Sequence, residues 1–212
     1  MIASNALQVL LYKYERKINL MAIEHFEKDV NGIKGLAVFT PKVFGDSRGY
    51  FTETYNKRDF DEAYGEEIVF VQDNQSSSSK GVLRGLHFQI NHPQDKLVRV
   101  ISGAVYDVAI DLRPNSETYG KHFGLILSAD NHKQFYIPKN FAHGFLVLSD
   151  VAEFTYKVTD FYHPNDEGGL LWNDPTLSIE WPLSEYGLSE TDIILSDKDK
   201  VNPTFEEYGR GC

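Results

Sequence analysis

Cysteine is nearly absent from this sequence of 212 residues, which has a single one, Cys212. One thiol cannot form a disulfide within its own chain, and since disulfides are typical of secreted proteins we expect a cytoplasmic protein. Long hydrophobic runs are absent as well. No run of about 18 apolar residues occurs, so we predict no membrane-spanning helix.

Positive charge is also in short supply. Lysine and arginine total 21 against 31 aspartates and glutamates, so the formal net charge is −10. Such an excess of acid provides no general attraction for DNA or RNA, and a phosphate-bearing partner must be held by a few local cations. We therefore expect a small-molecule ligand and no nucleic acid.

The sequence is well supplied with hydrophobic residues, 42% of the chain, and with aromatic residues, 13%. This composition predicts a folded chain, and the length fits one large β domain. We predict a single domain over residues 21–212 with a C-terminal segment that wraps around it. Residues 1–20 are interpreted as an N-terminal extension, either a non-native tail before a start at Met21 or an additional helix. They fit a signal peptide poorly because their charges follow the apolar middle.

Alternation of apolar and polar residues with a period of two dominates residues 81–159. Ala104 and Tyr106 share one face of a predicted strand, with Val105 and Asp107 on the other face. Glycine and proline interrupt the pattern about every 8–12 residues, which is typical of a β-sandwich or barrel. The predicted fold class is therefore all-β with a few short helices.

Three earlier segments have patterns of their own. Residues 57–67 place Phe60 and Tyr64 at a helical spacing, which predicts a helix. Residues 68–71 are apolar and predict a strand. The polar run 72–79 that follows predicts a loop, which either presents amides and hydroxyls to a ligand or is only flexible.

Residues 81–103 have the pattern of a binding site more than that of a core. His87 and two cations, Arg84 and Lys96, lie on short β-patterned segments with apolar residues between them. A neutral imidazole can accept a proton at about pH 7, and a fixed cation can stabilise an enolate oxygen. With Tyr156 as an acid, these residue types suit the removal and return of a proton on a carbon beside a ketone.

Each of these residues also has a structural interpretation. His87 alone could be a satisfied structural histidine, and Tyr156 on an apolar strand face could belong to the core. His143 is either a second pocket residue or a packed one. Lys198 and Asp199 could fold back onto the site, where His87 needs an acidic partner to fix its tautomer.

The same stretch can be compared with the metal-binding motif of cupin-type β-barrels. In that motif a glycine, two histidines and a glutamate follow one another at fixed spacing, and a later segment ends in a further histidine. Gly81 and His87 have the first spacing, but Gln89 stands at the second histidine position and Lys96 at the glutamate position. Of the motif's later segment, this sequence retains only the histidine, His143. Because an ammonium at a ligand position repels a cation, we expect no metal here.

Seven motifs follow one another across about residues 30–200 in one order. They are FGDSRG at 44–49, FVQDN at 70–74, GVLRGLHFQ at 81–89, KLVRV at 96–100, IPKNFAHGF at 137–145, AEFTYK at 152–157 and LWNDP at 171–175. Together they resemble the dTDP-4-dehydrorhamnose 3,5-epimerase family. The resemblance implies a cupin-type jelly-roll β-sandwich, no metal or organic cofactor, and a homodimer with an exchanged N-terminal strand. The implied substrate is dTDP-4-dehydro-6-deoxy-D-glucose, epimerised at carbons 3 and 5.

The resemblance also implies a role for each matched residue. His87 would remove the protons from carbons 3 and 5, and Tyr156 would deliver a proton from the opposite face. Lys96 would stabilise the enolate, and Asp199 would pair with His87. Phe161 stands where many family members have tyrosine, so any help from that hydroxyl is missing. The implied substrate contacts are Arg48, Phe51, Glu53, Gln72, Asp73, Asn74, Arg84, His143, Tyr162, Glu167 and Lys198.

Three other functions are compatible with these residues. One is an epimerase that inverts a single centre or acts on another 4-keto nucleotide sugar. A second is a metal-dependent cupin oxygenase. The third is a binding module for nucleotide sugars that catalyses nothing.

Overall fold

A computed structural model describes residues 22–210 of the chain. Its strands are β1 (Ile23–Lys28), β2 (Ala37–Pro41), β3 (Val43–Asp46), β4 (Gly49–Thr52), β5 (Gln72–Ser79), β6 (Leu83–Gln89), β7 (Lys96–Ser102), β8 (Ala104–Asp111), β9 (His122–Ser128), β10 (Gln134–Ile137), β11 (Phe141–Val147), β12 (Val151–Val158) and β13 (Glu167–Gly169). Its helices are α1 (Lys57–Tyr64) and α2 (Phe205–Arg210), with 3₁₀ turns at Val30–Gly32, Ser184–Tyr186, Glu190–Asp192 and Asp199–Val201. The extension predicted at residues 1–20 lies outside the described residues.

The strands form two antiparallel sheets and a separate hairpin. The larger sheet has the order β1-β2-β10-β7-β12-β5, and the smaller has the order β13-β6-β11-β8-β9. Within the described part of the chain, strands β3 and β4 pair only with each other. The predicted all-β class with a few short helices is confirmed.

The main core lies between the two sheets. Val98 and Phe154 of the larger sheet meet Ala109 of the smaller sheet in one buried cluster. The alternation predicted along β8 is present, yet both of its faces are buried, because Ile110 packs on the opposite side against Leu177 of the C-terminal segment. The smaller sheet is therefore covered on both faces.

Three predictions around the first helix are wrong in detail. The helix ends at Tyr64 because Gly65 caps it in a left-handed conformation with φ of 88°. Residues 68–71 are not a strand, whereas the polar run expected to be a loop is strand β5. This strand pairs with β12 along its whole length, so backbone hydrogen bonds form it without an apolar side-chain pattern.

The C-terminal segment packs against the sandwich. Trp172 is buried, and its ring centroid lies 6.4 Å from that of Trp181. Farther along, Ile194 forms an isolated parallel bridge with Val82, just before β6. The segment thereby reaches the strand that carries His87. Among residues 22–210, no helix has both the length and the apolar character needed to cross a membrane.

Candidate active site

A cavity of about 570 Å³ opens between the sheets beside β6. It gathers seven of the residues that the sequence nominated. They are Asn74, Arg84, His87, Lys96, His143, Tyr156 and Asp199. Residues that are far apart in the chain therefore share one volume, large enough for a small organic ligand.

His87 reaches this cavity because strands β6 and β11 approach each other closely. Gly85 has a φ of 126°, and a Cβ atom built on it would lie 2.6 Å from the Cα atom of Gly144. Glycine is needed at this contact both for the backbone conformation and for the space. The pairing places His87 directly opposite His143, so the two imidazoles occupy neighbouring positions on one sheet.

Asp199 supplies the carboxylate that His87 needs. Its Oδ1 atom lies 2.5 Å from His87 Nε2, and its backbone N–H donates to the Ser196 hydroxyl at 3.2 Å. Burial alone would raise the pKa of Asp199, but the hydrogen bonds with His87 and Ser196 outweigh it and hold that pKa below its usual value. An ionised carboxylate thus orients the imidazole and supports its protonated form.

A second carboxylate, Glu167, borders His87 on its other ring nitrogen. Glu167 Oε1 lies 3.9 Å from His87 Nδ1, while Oε2 accepts hydrogen bonds from the Tyr162 hydroxyl at 3.0 Å and from the Lys198 ammonium. Burial would raise the pKa of Glu167, but the bonds from Lys198 and Tyr162 keep it lowered. These three predicted substrate residues form one connected group at the exposed edge of the site.

Lys96 and Tyr156 stand on the opposite wall, on strands β7 and β12 of the larger sheet. Burial lowers the pKa of Lys96 to about 8, although Asp107 and Glu167 partly oppose the shift. Burial and the charge of Glu167 raise the pKa of Tyr156. At neutral pH the wall therefore presents an ammonium cation and a protonated phenol.

Sequence reasoning missed Asp107. His143 Nε2 lies 3.0 Å from both carboxylate oxygens of Asp107, whose exposed fraction is 0%. Burial raises the pKa of Asp107 and lowers that of His143. A buried charge without a partner is costly, so an aspartate in the middle of the apolar strand β8 was the available signal that a partner faces it.

Strand alternation divides the predicted residues of β5. Asn74 is paired with Tyr156 across the β5–β12 register and accepts a hydrogen bond from the Gln72 amide at 2.8 Å. Asp73 lies between them in sequence and faces the other side of the sheet, where Lys157 donates to it at 2.9 Å. Asp73 therefore does not line the cavity and instead borders a neighbouring depression with Asn74 and Tyr156.

Three further predicted contacts lie outside the cavity of their own chain. Arg48 pairs with Asp46 at 2.5 Å, and its side chain is 87% exposed. Phe51 on the same hairpin is 69% exposed. Glu53 follows the hairpin and borders a different, small depression with Asn56. Their roles as substrate contacts stay predictions.

The residue at the second histidine position of the cupin metal motif is turned away from the cavity. Gln89 is buried, donates to the carbonyl oxygen of His163 at 2.9 Å, and accepts from the N–H of the same residue at 3.1 Å. The cavity imidazoles of His87 and His143 each face a carboxylate at hydrogen-bond distance. This donor set suits proton transfer better than the cupin ligand arrangement does.

Comparison of the sequence with known proteins identifies one family. Residues 31–207 match the family model for dTDP-4-dehydrorhamnose 3,5-epimerase. The dTDP-4-dehydrorhamnose 3,5-epimerase of Escherichia coli strain K12 is 52% identical to this chain over 179 residues, which are 84% of this chain and 94% of the relative.

Solved structures of sugar-nucleotide epimerases are similar to this chain in fold. The dTDP-6-deoxy-D-glucose-3,5-epimerase of Legionella pneumophila, in complex with dTDP-4-keto-L-rhamnose, has a TM-score of 0.79 and 46% identity, covering 86% of this chain and 94% of its own. A 3'-monoepimerase from Streptomyces bikiniensis, in complex with dTDP-quinovose, has a TM-score of 0.77 and 29% identity, covering 84% and 87% of the two chains. The predicted cupin-type jelly-roll fold is thereby confirmed.

Proposed function

Because this chain belongs to the dTDP-4-dehydrorhamnose 3,5-epimerase family, we propose that it converts dTDP-4-dehydro-6-deoxy-D-glucose to dTDP-4-dehydro-L-rhamnose by inverting carbons 3 and 5. One observation carries the proposal: His87, which is paired with Asp199, and Tyr156 lie on opposite sheets and line one cavity. Inversion requires that a proton leave one face of a carbon and return to the other, so base and acid must lie on opposite sides.

The first step is proton removal by His87. Its imidazole takes the hydrogen from the sugar carbon next to the 4-keto group, and the electron pair of the broken bond moves onto the ketone oxygen as an enolate. Asp199 holds the ring and stabilises the imidazolium that forms. Both carbons that flank the ketone can lose a proton in this way, so one base serves two centres.

Lys96 stabilises the enolate. With a pKa of about 8 its side chain is a cation at neutral pH, and the surrounding protein screens that cation less than water would. The ammonium can therefore offset the negative charge that develops on the ketone oxygen.

Tyr156 completes the inversion. Its pKa is raised, mainly by burial, so its hydroxyl keeps its proton at neutral pH and can deliver it to the enolate carbon. Because Tyr156 belongs to the sheet opposite His87, the proton arrives on the other face of the sugar. The mechanism draws on side chains of the protein and on no cofactor.

Charged and polar residues around the cavity suit the nucleotide part of the substrate. Arg84 lines the cavity, where its Nε donates to the Ser78 hydroxyl at 3.0 Å, and the rest of its guanidinium can donate to a phosphate. Lys198 at the exposed edge offers a second cation. His143 and Asn74 line the same cavity and add polar groups for the rest of the substrate.

We also propose a homodimer in which the N-terminal part of one protomer completes the site of its partner. Strand β1 pairs with β2 of its own chain, whereas the hairpin β3–β4 pairs with no third strand among residues 22–210 and exposes Phe51. Inserted into a partner, the hairpin would bring Arg48 and the adjacent Glu53 to the second cavity. Arg48 and Glu53, which lie outside the cavity of their own chain, would then contact the substrate bound to the partner. The cytoplasmic location stays a prediction from the sequence.

Incubation with dTDP-4-dehydro-6-deoxy-D-glucose in deuterated buffer, followed by proton NMR, tests the proposed reaction. We expect deuterium at both carbon 3 and carbon 5. Deuterium at one carbon alone would favour the single-centre epimerase, to which the 3'-monoepimerase of similar fold also points. Binding without any exchange would identify a binding module instead.

A further inference from the structure

A second group of histidines lies outside the cavity. His92 follows β6, and Asp160 and His163 follow β12; one donor atom of each lies within 4.8 Å of the others. The two imidazoles are stacked with their centroids 3.9 Å apart, and His92 Nδ1 lies 3.9 Å from Asp160 Oδ2. We propose that these three residues bind a divalent transition-metal ion of the zinc class.

The ring nitrogens of both histidines are available for such an ion. Within residues 22–210, the hydrogen bonds of His92 and His163 involve their backbone groups: His92 N–H donates to Asp166 at 2.8 Å, and His163 N–H donates to Gln89 at 3.1 Å. In this part of the chain neither imidazole forms a hydrogen bond. Each ring therefore has a nitrogen lone pair free for a metal, and because stacked rings point their lone pairs nearly in parallel, one ring must tilt for both to reach the same ion.

The backbone around the group is held in place before any ion binds. The carboxylate of Asp166 accepts hydrogen bonds from the N–H groups of Asn91 and His92 and from the Asn91 amide, at 2.7–3.0 Å. The buried side chain of Gln89 fixes the backbone of His163 from both sides. Metal sites depend on such supporting bonds, because they set the direction of the ligands.

The donor types select the class of ion. Two imidazoles and one carboxylate suit zinc, nickel or copper, whereas magnesium and calcium prefer ligand sets of oxygen alone. Ligand atoms lie about 2.0–2.2 Å from a zinc ion. The three donor atoms, which are now up to 4.8 Å from one another, must therefore move closer together when the ion binds. His92 is exposed and can rotate to do this.

A bound ion would connect two loops at the edge of the cavity. The segment from Asp160 to His163 includes Tyr162, whose hydroxyl donates to Glu167 at 3.0 Å. The Asp160 side chain already holds this segment through the Phe161 N–H at 2.8 Å. An ion shared with His92 would tie the segment to the turn after β6 and restrain Tyr162. This inference stands independently of the proposed reaction.

Calorimetric titration of the untagged, chelator-treated chain with zinc chloride at about pH 7.5 tests the site, since neutral imidazoles are required. We expect one ion per chain, and a loss of affinity of at least about tenfold in His92→Gln. The matched control is His25→Gln. His25 is also exposed and has a carboxylate, that of Glu27, at 3.9 Å, but it lacks a stacked imidazole, so its replacement should leave the affinity unchanged.

Three results would overturn the proposal. One is the absence of zinc uptake by the wild-type chain. A second is equal affinity in His92→Gln and wild type. The third is loss of binding in His87→Gln together with retention in His92→Gln, which would place the ion in the cavity. As a second readout, zinc should slow amide hydrogen exchange at residues 160–163 in the wild type and not in His92→Gln. Unchanged exchange in the zinc-saturated wild type would refute the restraint on Tyr162.

Discussion

His87 Nε2 and Asp199 Oδ1 lie 2.5 Å apart although 112 positions separate the two residues in the sequence. The contact exists because the C-terminal segment folds back along β6 and ends its approach in the 3₁₀ turn Asp199–Val201. A strand near the middle of the chain supplies the proposed base, and the carboxylate that contacts it comes from a late turn. The C-terminal segment therefore contributes a residue to the proposed active site.

Replacing Asp199 tests this contact. Asp199→Asn keeps the shape but removes the charge that stabilises the protonated imidazole, so we expect kcat to fall by about 10²–10⁴-fold. The measurement is steady-state turnover of the proposed substrate. Asp197→Asn is the control, since Asp197 lies in the same segment and its side chain is 100% exposed. Equal activity of the two variants would contradict the role of Asp199.

Turnover should decline as the pH rises through about 8. Burial lowers the pKa of Lys96 to about 8, so its ammonium form is present below that pH and is lost above it. If the cation stabilises the enolate, kcat falls about tenfold for each further pH unit. The measurement is the pH profile of kcat.

A substitution of Lys96 provides a second test of the same cation. Lys96→Met should lower kcat by about 10²–10³-fold and remove the alkaline decline. Lys133→Met, at an exposed position, should change neither. An alkaline decline that persists in Lys96→Met would assign the titration to another group.

Tyr156→Phe should separate exchange from inversion. Without the phenol, His87 can still remove a proton and return one to the same face, so exchange with solvent at carbon 3 should continue. Formation of the inverted product should fall by about 10²-fold or more, because the acid on the opposite wall is lost. Proton NMR in deuterated buffer measures both quantities. Tyr186→Phe, outside the cavity lining, serves as the control, and full inversion by Tyr156→Phe would exclude the assigned role.

Mixed dimers test whether the hairpin completes a partner's site. Arg48→Ala and His87→Ala should each be nearly inactive as homodimers. Coexpression should restore activity to about a quarter of wild type, because half of the dimers are mixed and each mixed dimer has one intact site. Mixing His87→Ala with Asp199→Asn should restore nothing, since both residues belong to the same chain's cavity. Failure of the first pair to complement would place Arg48 outside the shared site.

The sequence was a good guide where the pattern reports a local property. Period-two alternation predicted β8 and β12. The apolar content of the sequence predicted the wrong structure for residues 68–71, which are not a strand, and for the polar residues 72–79, which form β5. In that region pairing with a neighbouring strand decides the structure, and such pairing has no signature in the strand's own side chains.

Contacts across the fold were harder to foresee. The pairing of Asp107 with His143 depends on the register of β8 and β11, which no local pattern specifies. The stacking of His92 on His163 joins two loops that are distant in sequence. Seven of the fifteen residues taken from the resemblance meet in one cavity, whereas Arg48 and Phe51 lie on an exposed hairpin outside it.

The most direct test of the central claim is solvent exchange by His87→Asn, measured by proton NMR of dTDP-4-dehydro-6-deoxy-D-glucose in deuterated buffer. Thermal melting should first establish that the variant is folded. The account predicts that deuterium enters carbons 3 and 5 in the wild type and neither carbon in the variant, because no other group takes the proton. Exchange at the wild-type rate in folded His87→Asn would contradict it.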